Sequence, residues 1–227
     1  MKRWGLRLIW LIVALVLSVH LYALALIVMP APITLTMAER AIGGKTLRRV
    51  NAPLEEISPH LVHAVIAAED TRFCQHSGID IEAIGKAMEE ARQGDRQRGA
   101  STITQQTAKN VFLRNGGGYP RKAAEAWLAT MIDFVWGKRR VMEMYLNVAE
   151  WGDGVFGAEA AARVRFGKSV TELTEREAAL LAAVLPSPNN WRIDPPGPYV
   201  RRRASILQAR MRVVENEGLA NCVTGAP

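Results

Sequence analysis

The chain has 227 residues and a formal charge of +7, with 49% hydrophobic and 22% charged residues. That is enough for one membrane segment and one domain with a sizeable core, and its basic balance suits nucleic acid, anionic lipid or a phosphorylated substrate. Two cysteines, Cys74 and Cys222, exclude a disulfide framework and make no metal pair, and the sequence leaves their pairing open.

Residues 1–7 carry Lys2, Arg3 and Arg7, and residues 8–29 then hold no Asp, Glu, Lys or Arg. Such a run is long enough to cross a hydrocarbon core of roughly 30 Å. The cations before it favour a cytoplasmic N-terminus. Ala23-Leu24-Ala25 resembles a signal-peptide cleavage site, but a signal core is usually only about 7–15 residues. A retained anchor is therefore expected, with the rest of the chain beyond the inner membrane and no nucleic-acid partner. Residues 30–52 read as a connector, with Pro30, Pro32 and the pair Gly43-Gly44.

From there the periodicity is helical, with no strong strand pattern. Ser58-Pro59 reads as an N-cap followed by Pro at the first helical position. The apolar helix it opens delivers Glu69 at its C-terminal end. Asp80 is placed to cap a helix carrying Ile81, Ile84, Met88 and Ala91, up to Gly94. Residues 94–99 read as a basic loop, and a helix resumes over 101–112. Residues 114–119 break the chain before Pro120 opens a helix through Trp136. A basic turn, Lys138-Arg139-Arg140, precedes a helix over 141–149, and residues 151–157 read as irregular and Gly-rich. Helices are expected over 158–166, after the capping box Thr174 to Glu177, and over a last stripe of Val200, Ala204, Leu207, Met211 and Val214 ending at Gly218. The fold class is all-α.

Chemistry concentrates between Glu69 and Glu125. A carboxylate beside apolar surface has its pKa raised, which suits Glu69 to proton transfer. An isolated Glu69-Asp70 pair would more often simply cap a helix. Here Phe73, His76 and Gly78 follow in the long pattern E-D-x-x-F-x-x-H-x-G. Ser101, Gln105 and Lys109 fall at i, i+4 and i+8, with Thr102 and Gln106 in the next row. One face then offers hydroxyl, amide and ammonium groups for sugar hydroxyls or phosphate oxygens. The bland alternative is a solvated helix face. Arg121 and Glu125 fall at i, i+4; on a surface such a pair contributes little.

The segments E-D-T-R-F-C-Q-H-S-G, G-A-S-T-I-T-Q-Q-T-A-K-N, R-K-A-A-E, K-R-R-V-M-E-M-Y-L-N and E-A-A-L-L-A-A-V-L-P occur in this order between Glu69 and Pro186. Together they resemble the ordered motifs of the family 51 peptidoglycan glycosyltransferases, with the resemblance running from Pro53 to Gly218. It points to a monofunctional member with no transpeptidase domain, unlike a class A penicillin-binding protein. It implies a lysozyme-like helical lobe and a smaller membrane-proximal jaw over 53–218, with 219–227 as a tail. It implies polymerisation of lipid II, with inversion, β-1,4 linkage and release of undecaprenyl diphosphate. Glu69 would be the general base and Glu125 a second catalytic glutamate that orients the donor or its cation contacts. Asp70, Phe73, His76, Gly78, Ser101, Thr102, Gln105, Gln106, Lys109, Arg121 and Lys122 would contact substrate, while Asn147 is expected to be structural. No cofactor is required, although a diphosphate can itself recruit Mg²⁺ or Mn²⁺. Expected partners are lipid II, the growing glycan strand, inner-membrane lipids that Arg92, Arg96 and Arg98 could meet, and cell-division or cell-wall synthesis proteins.

Two positions depart from the family's pattern. Gly117 stands where an arginine commonly precedes the second glutamate, with Arg114 as a distant substitute, and Arg165 replaces a tyrosine before Phe166-Gly167, where only the surface should change. Two other readings remain: a lysozyme-like enzyme that cuts glycan, and an idle scaffold that binds lipid II.

Overall fold

The computed structural model describes residues 2–94, 99–114 and 116–225, and of Lys2 and Arg3 only the backbone. The expected contacts of Arg96 and Arg98 therefore lie outside the described residues. The chain is helical apart from one small sheet, as expected of the lysozyme-like helical class.

Helix α1 (Lys2–Ala25) starts earlier and ends earlier than the apolar run, because Leu26–Met29 close into turns. Its span Trp4–Ala25 is long and apolar enough to cross a membrane and is almost wholly exposed, unlike a core helix. Its C-terminal end is docked on the domain. Trp136 Nε1 donates to the Ala23 carbonyl at 2.7 Å, and Tyr22 meets the Phe112 ring edge-on at 5.7 Å. Ala23 and Leu26 are buried there.

The expected connector contains structure of its own. Thr34 caps α2 (Leu35–Ile42), and β1 (Arg48–Arg49) pairs in parallel with β3 (Val155–Phe156). β3 also pairs antiparallel with β2 (Glu150–Gly152), giving the order β1-β3-β2. The expectation of an irregular segment after residue 150 is thus corrected. Strands of two or three residues are too short to show alternation.

Five helices make the scaffold of the lobe. α3 (Pro59–Glu69) packs between α8 (Glu175–Val184) and α9 (Pro198–Asn216), while α5 (Ile103–Phe112) lies along α6 (Tyr119–Val148). α3 is buried on several sides, as its sequence requires, and Ser58 Oγ bonds the Leu173 carbonyl instead of capping the helix. Thr174 and Glu177 form the expected capping box of α8, and the buried stripe of α9 is the expected one. Gly137 breaks α6 with φ +68°, a conformation that costs glycine little. The expected break is there, but Lys138–Arg140 are already helical. α7 (Ala158–Phe166) follows the hairpin. Arg165 packs against Gly152 and is half-buried, so it does more than alter the surface.

α4 (Ile81–Arg92) is capped by Asp80, whose carboxylate accepts from Ala83 N at 2.9 Å. It contributes no buried residue, and Ile81 and Met88 are exposed. It stands off the core as a smaller jaw.

The C-terminal residues are not a loose tail. Leu219, Ala220 and Val223 pack on the core, and Cys222 of α10 (Asn221–Thr224) is disulfide-bonded to Cys74 across 148 residues. Loop-closure entropy alone makes such a link worth about 5 kcal/mol. Replacing both cysteines with serine should lower the thermal midpoint by several degrees, and reduction should bring the wild type close to the variant. An unchanged midpoint would show that the link adds nothing.

Candidate active site

Glu69 is the last residue of α3, so a buried helix fixes its backbone while its side chain leaves toward a cleft. Gln106 Nε2 donates to its Oε2 at 2.9 Å, and its Oε1 is buried with no hydrogen-bond partner. Burial pushes the Glu69 carboxyl above the ordinary glutamate range, and Asp70 pushes the same way. Gln106, Arg203 and Lys109 oppose the shift without cancelling it.

The loop after Glu69 is a clamp. Asp70 accepts from the backbone N–H of Ile103 at 3.0 Å and holds His76 Nε2 at 3.0 Å. It therefore binds the start of α5 to the end of α3. Phe73 is fully buried, with Lys138 Nζ 4.6 Å over its ring; that ammonium also donates to the His76 carbonyl at 2.6 Å. Gly78 has φ +86°, and any Cβ there would lie 2.7 Å from the Ala129 carbonyl oxygen. Its own carbonyl accepts from Thr102 Oγ1 at 2.6 Å.

Thr102 and Gln105 form the capping box of α5, each side chain bonding the other's backbone N–H at 3.0 Å. Both are buried. Six of the residues expected at substrate make contacts within the protein. Phe73, His76, Gly78 and Gln105 hold the loop and the helix start, as do Asp70 and Thr102, which also edge a cavity of about 270 Å³ beside Glu69. Ser101 precedes the helix, so its row with Gln105 and Lys109 is not a continuous helical face.

The cations gather one turn beyond Gln106. Lys109 lies mostly out of solvent; burial lowers its ammonium pKa most, Arg121 and Lys122 lower it further, and Glu125 and Glu69 raise it. Glu125 is buried under Arg121, 2.5 Å away, and Lys122, whose Nζ also reaches Ser101 Oγ at 3.3 Å. The pair is no surface ion pair. Its carboxylate positions two cations and is sealed from the cleft. Gly117 explains its own departure: it has φ +90°, and a Cβ would sit 3.0 Å from Arg121 Cδ, so Arg121 fills the space a side chain there would need. Arg114 stays exposed.

Two residues of the site escaped the sequence reading. Tyr145 is fully buried and its hydroxyl faces Gln106 Oε1 at 3.5 Å. Its place inside K-R-R-V-M-E-M-Y-L-N was the available signal. Arg203 of α9 acts on Glu69 by charge, on a helix that the sequence marked only by its apolar stripe. Asn147 is structural as expected, exchanging two 2.8 Å hydrogen bonds with the Ala52 backbone. Among the described residues no three His, Cys, Asp or Glu side chains converge to hold a metal.

The site thus combines a buried carboxylate in a cleft with a bank of cations, Lys109, Arg121 and Lys122. Comparison with known proteins narrows the class. The family described as "Transglycosylase" matches residues 36–212. The chain is 51% identical over 195 residues to the biosynthetic peptidoglycan transglycosylase of Rhodospirillum centenum, covering 86% of this chain and 84% of that one. It is 48% identical over 194 residues to the protein of the same name from Caulobacter vibrioides, covering 86% and 85%. The chain belongs to the transglycosylase family.

The raised Glu69 pKa has a consequence for stability. The folded state binds that proton more tightly than the unfolded one, so its contribution falls as pH rises from the ordinary value through the raised one. At neutral pH the buried carboxylate is a cost. Glu69→Gln should therefore melt no lower than wild type at pH 7.5, and the difference in its favour should vanish below the ordinary glutamate pKa. Glu125→Gln should behave oppositely, melting lower because Arg121 and Lys122 lose their buried counter-charge. Differential scanning calorimetry of both variants across pH checks the pair.

Proposed function

We propose that the protein polymerises lipid II into β-1,4-linked glycan with inversion, using Glu69 as general base. The reading rests on Glu69 Oε1, a buried carboxylate oxygen without a partner, beside an Oε2 already held by Gln106. The free oxygen takes the proton from the 4-hydroxyl of the acceptor GlcNAc. The hydroxyl oxygen then attacks the anomeric carbon of the MurNAc on the growing strand. The bond to the diphosphate breaks, its electron pair leaves with undecaprenyl diphosphate, and Glu69 returns its proton to solvent.

The leaving group needs charge stabilisation more than a proton. Lys109, Arg121 and Lys122 supply it from fixed positions, and an arriving diphosphate favours the charged form of Lys109 that burial disfavours. Glycan cleavage makes the opposite demand, a carboxylic acid to protonate an alkoxide. Glu125 is buried between two cations, and a raised pKa alone would fit Glu69 to either role, so the bank of cations is what favours transfer. Ser101, beside Lys122, is left to meet the sugar.

The N-terminus lies in the cytoplasm and the domain in the periplasm of a bacterial inner membrane. Lys2, Arg3 and Arg7 before the span support this orientation. The disulfide suits an oxidising compartment. Docking of the α1 end on Trp136 supports a retained anchor, since cleavage after Ala25 would remove a buried part of the structure. The exposed α4 jaw supports contact with membrane lipid, and cell-wall proteins remain partners that the resemblance alone suggests.

Full-length protein in detergent, given labelled lipid II, should make long glycan. Glu69→Gln should lose roughly 10²–10⁴-fold in rate, and Lys109→Met about 10²-fold in kcat. Polymer from Glu69→Gln at the wild-type rate would remove Glu69 as the base. Binding without polymer from wild type would favour the scaffold reading.

A further inference from the structure

A second cavity, of about 980 Å³, opens on the α9 side of Glu69 and Gln106. Its far wall holds Trp191, Tyr199, Arg203 and Arg210, and Glu90 of the α4 jaw stands on the opposite side. Tyr199, Arg203 and Arg210 fall at i, i+4 and i+11, so they make one stripe of α9, flanking the buried stripe. Trp191 packs against Tyr199 with ring centroids 4.8 Å apart.

Two other cations of this helix have partners elsewhere. Arg212 pairs with Glu175 at 3.6 Å, and Arg201 donates to the Pro196 carbonyl at 3.1 Å. Arg203 and Arg210 show no ion pair among the described residues, and Arg203 is half-buried with its Nε sealed from solvent and unpartnered. Guanidinium groups outside any described ion pair, one of which acts on Glu69 by charge only, beside the Trp191 and Tyr199 rings suit a saccharide that carries carboxylates: the rings take the apolar face of a sugar and the forks take the acids. Lys109, Arg121 and Lys122 do not line this cavity, so the leaving diphosphate of the donor has its own bank of cations. The substrate half that reaches this wall is the one whose hydroxyl meets Glu69.

We propose that the Trp191–Tyr199–Arg203–Arg210 wall recognises the acceptor lipid II through the carboxylates of its stem peptide, with the attached sugar resting on the two aromatic rings. The proposal rests on the transferase reading above. It makes the peptide stem a determinant of acceptor affinity on a helix remote from the leaving group.

The test is steady-state polymerisation by the full-length protein in detergent. Two substrates are compared: lipid II with its native stem, and lipid II with the stem carboxylates amidated. Arg210→Ala, on an exposed position, should raise KM for native lipid II about 10-fold, the size expected for one charge-assisted contact. Its kcat should stay within about two-fold, and Arg210→Lys should recover part of the loss. Amidated lipid II should raise the wild-type KM similarly, and Arg210→Ala should add nothing further. An equal loss on both substrates would assign the wall to the acceptor's diphosphate and overturn the peptide assignment. Wild-type KM on both substrates would overturn the site altogether. Polymer from wild type in either case leaves the transferase reading intact, whereas no polymer from wild type sinks that reading and this one with it.

Discussion

The site depends on a carboxylate that is buried with one of its two oxygens unpaired. In water Glu69 would be an ordinary acid. At the end of α3 it keeps one hydrogen bond, from Gln106, and loses most of its hydration. Desolvation makes it a stronger base, while Gln106, Arg203 and Lys109 keep the charged form accessible. Neither influence alone would serve. Without burial the group would hold its proton more weakly, and without the opposing groups burial would raise its pKa further.

Much of the surrounding structure holds that balance in place. Gln106 can reach Glu69 only if α5 starts where it does. Asp70 fixes that start through the Ile103 N–H, Thr102 ties it to Gly78, and Gly78 lies so close to α6 that no side chain fits. Lys138 braces the loop from below and Cys222 anchors it from the C-terminal side. The motif after Glu69 is therefore mostly architecture. Its residues set the distance between one carboxylate and one amide, and that distance is the chemistry.

This explains what the sequence could and could not reveal. The helices were legible because their caps and periods are local: Asp80, the Thr174–Glu177 box and the α9 stripe all fall where spacing puts them. Glu69 stood out because the long pattern E-D-x-x-F-x-x-H-x-G begins with it, whereas an acid at a helix end alone reads as a cap. The internal contacts of His76, Thr102 and Gln105 were not legible, since a polar residue in a motif reads the same whether it faces substrate or a neighbouring backbone. The two- and three-residue strands leave no period to detect. Arg203 is distant in sequence from Glu69 and meets it only through the packing of α3 on α9. Gly117 read as a missing arginine, whereas its positive φ and the packing of Arg121 show a local exchange of one side chain's space for another's.

The most direct measurement is the titration of Glu69 itself. Full-length protein in detergent, labelled with ¹³C at glutamate Cδ, would be followed across pH by NMR, with Glu69→Gln assigning the resonance. A carboxyl that ionises above the ordinary glutamate range is the result predicted for a buried base held ready by Gln106. A carboxyl that ionises at or below the ordinary range would contradict the account, because Glu69 would then be a solvated anion and its burial would play no part in the chemistry.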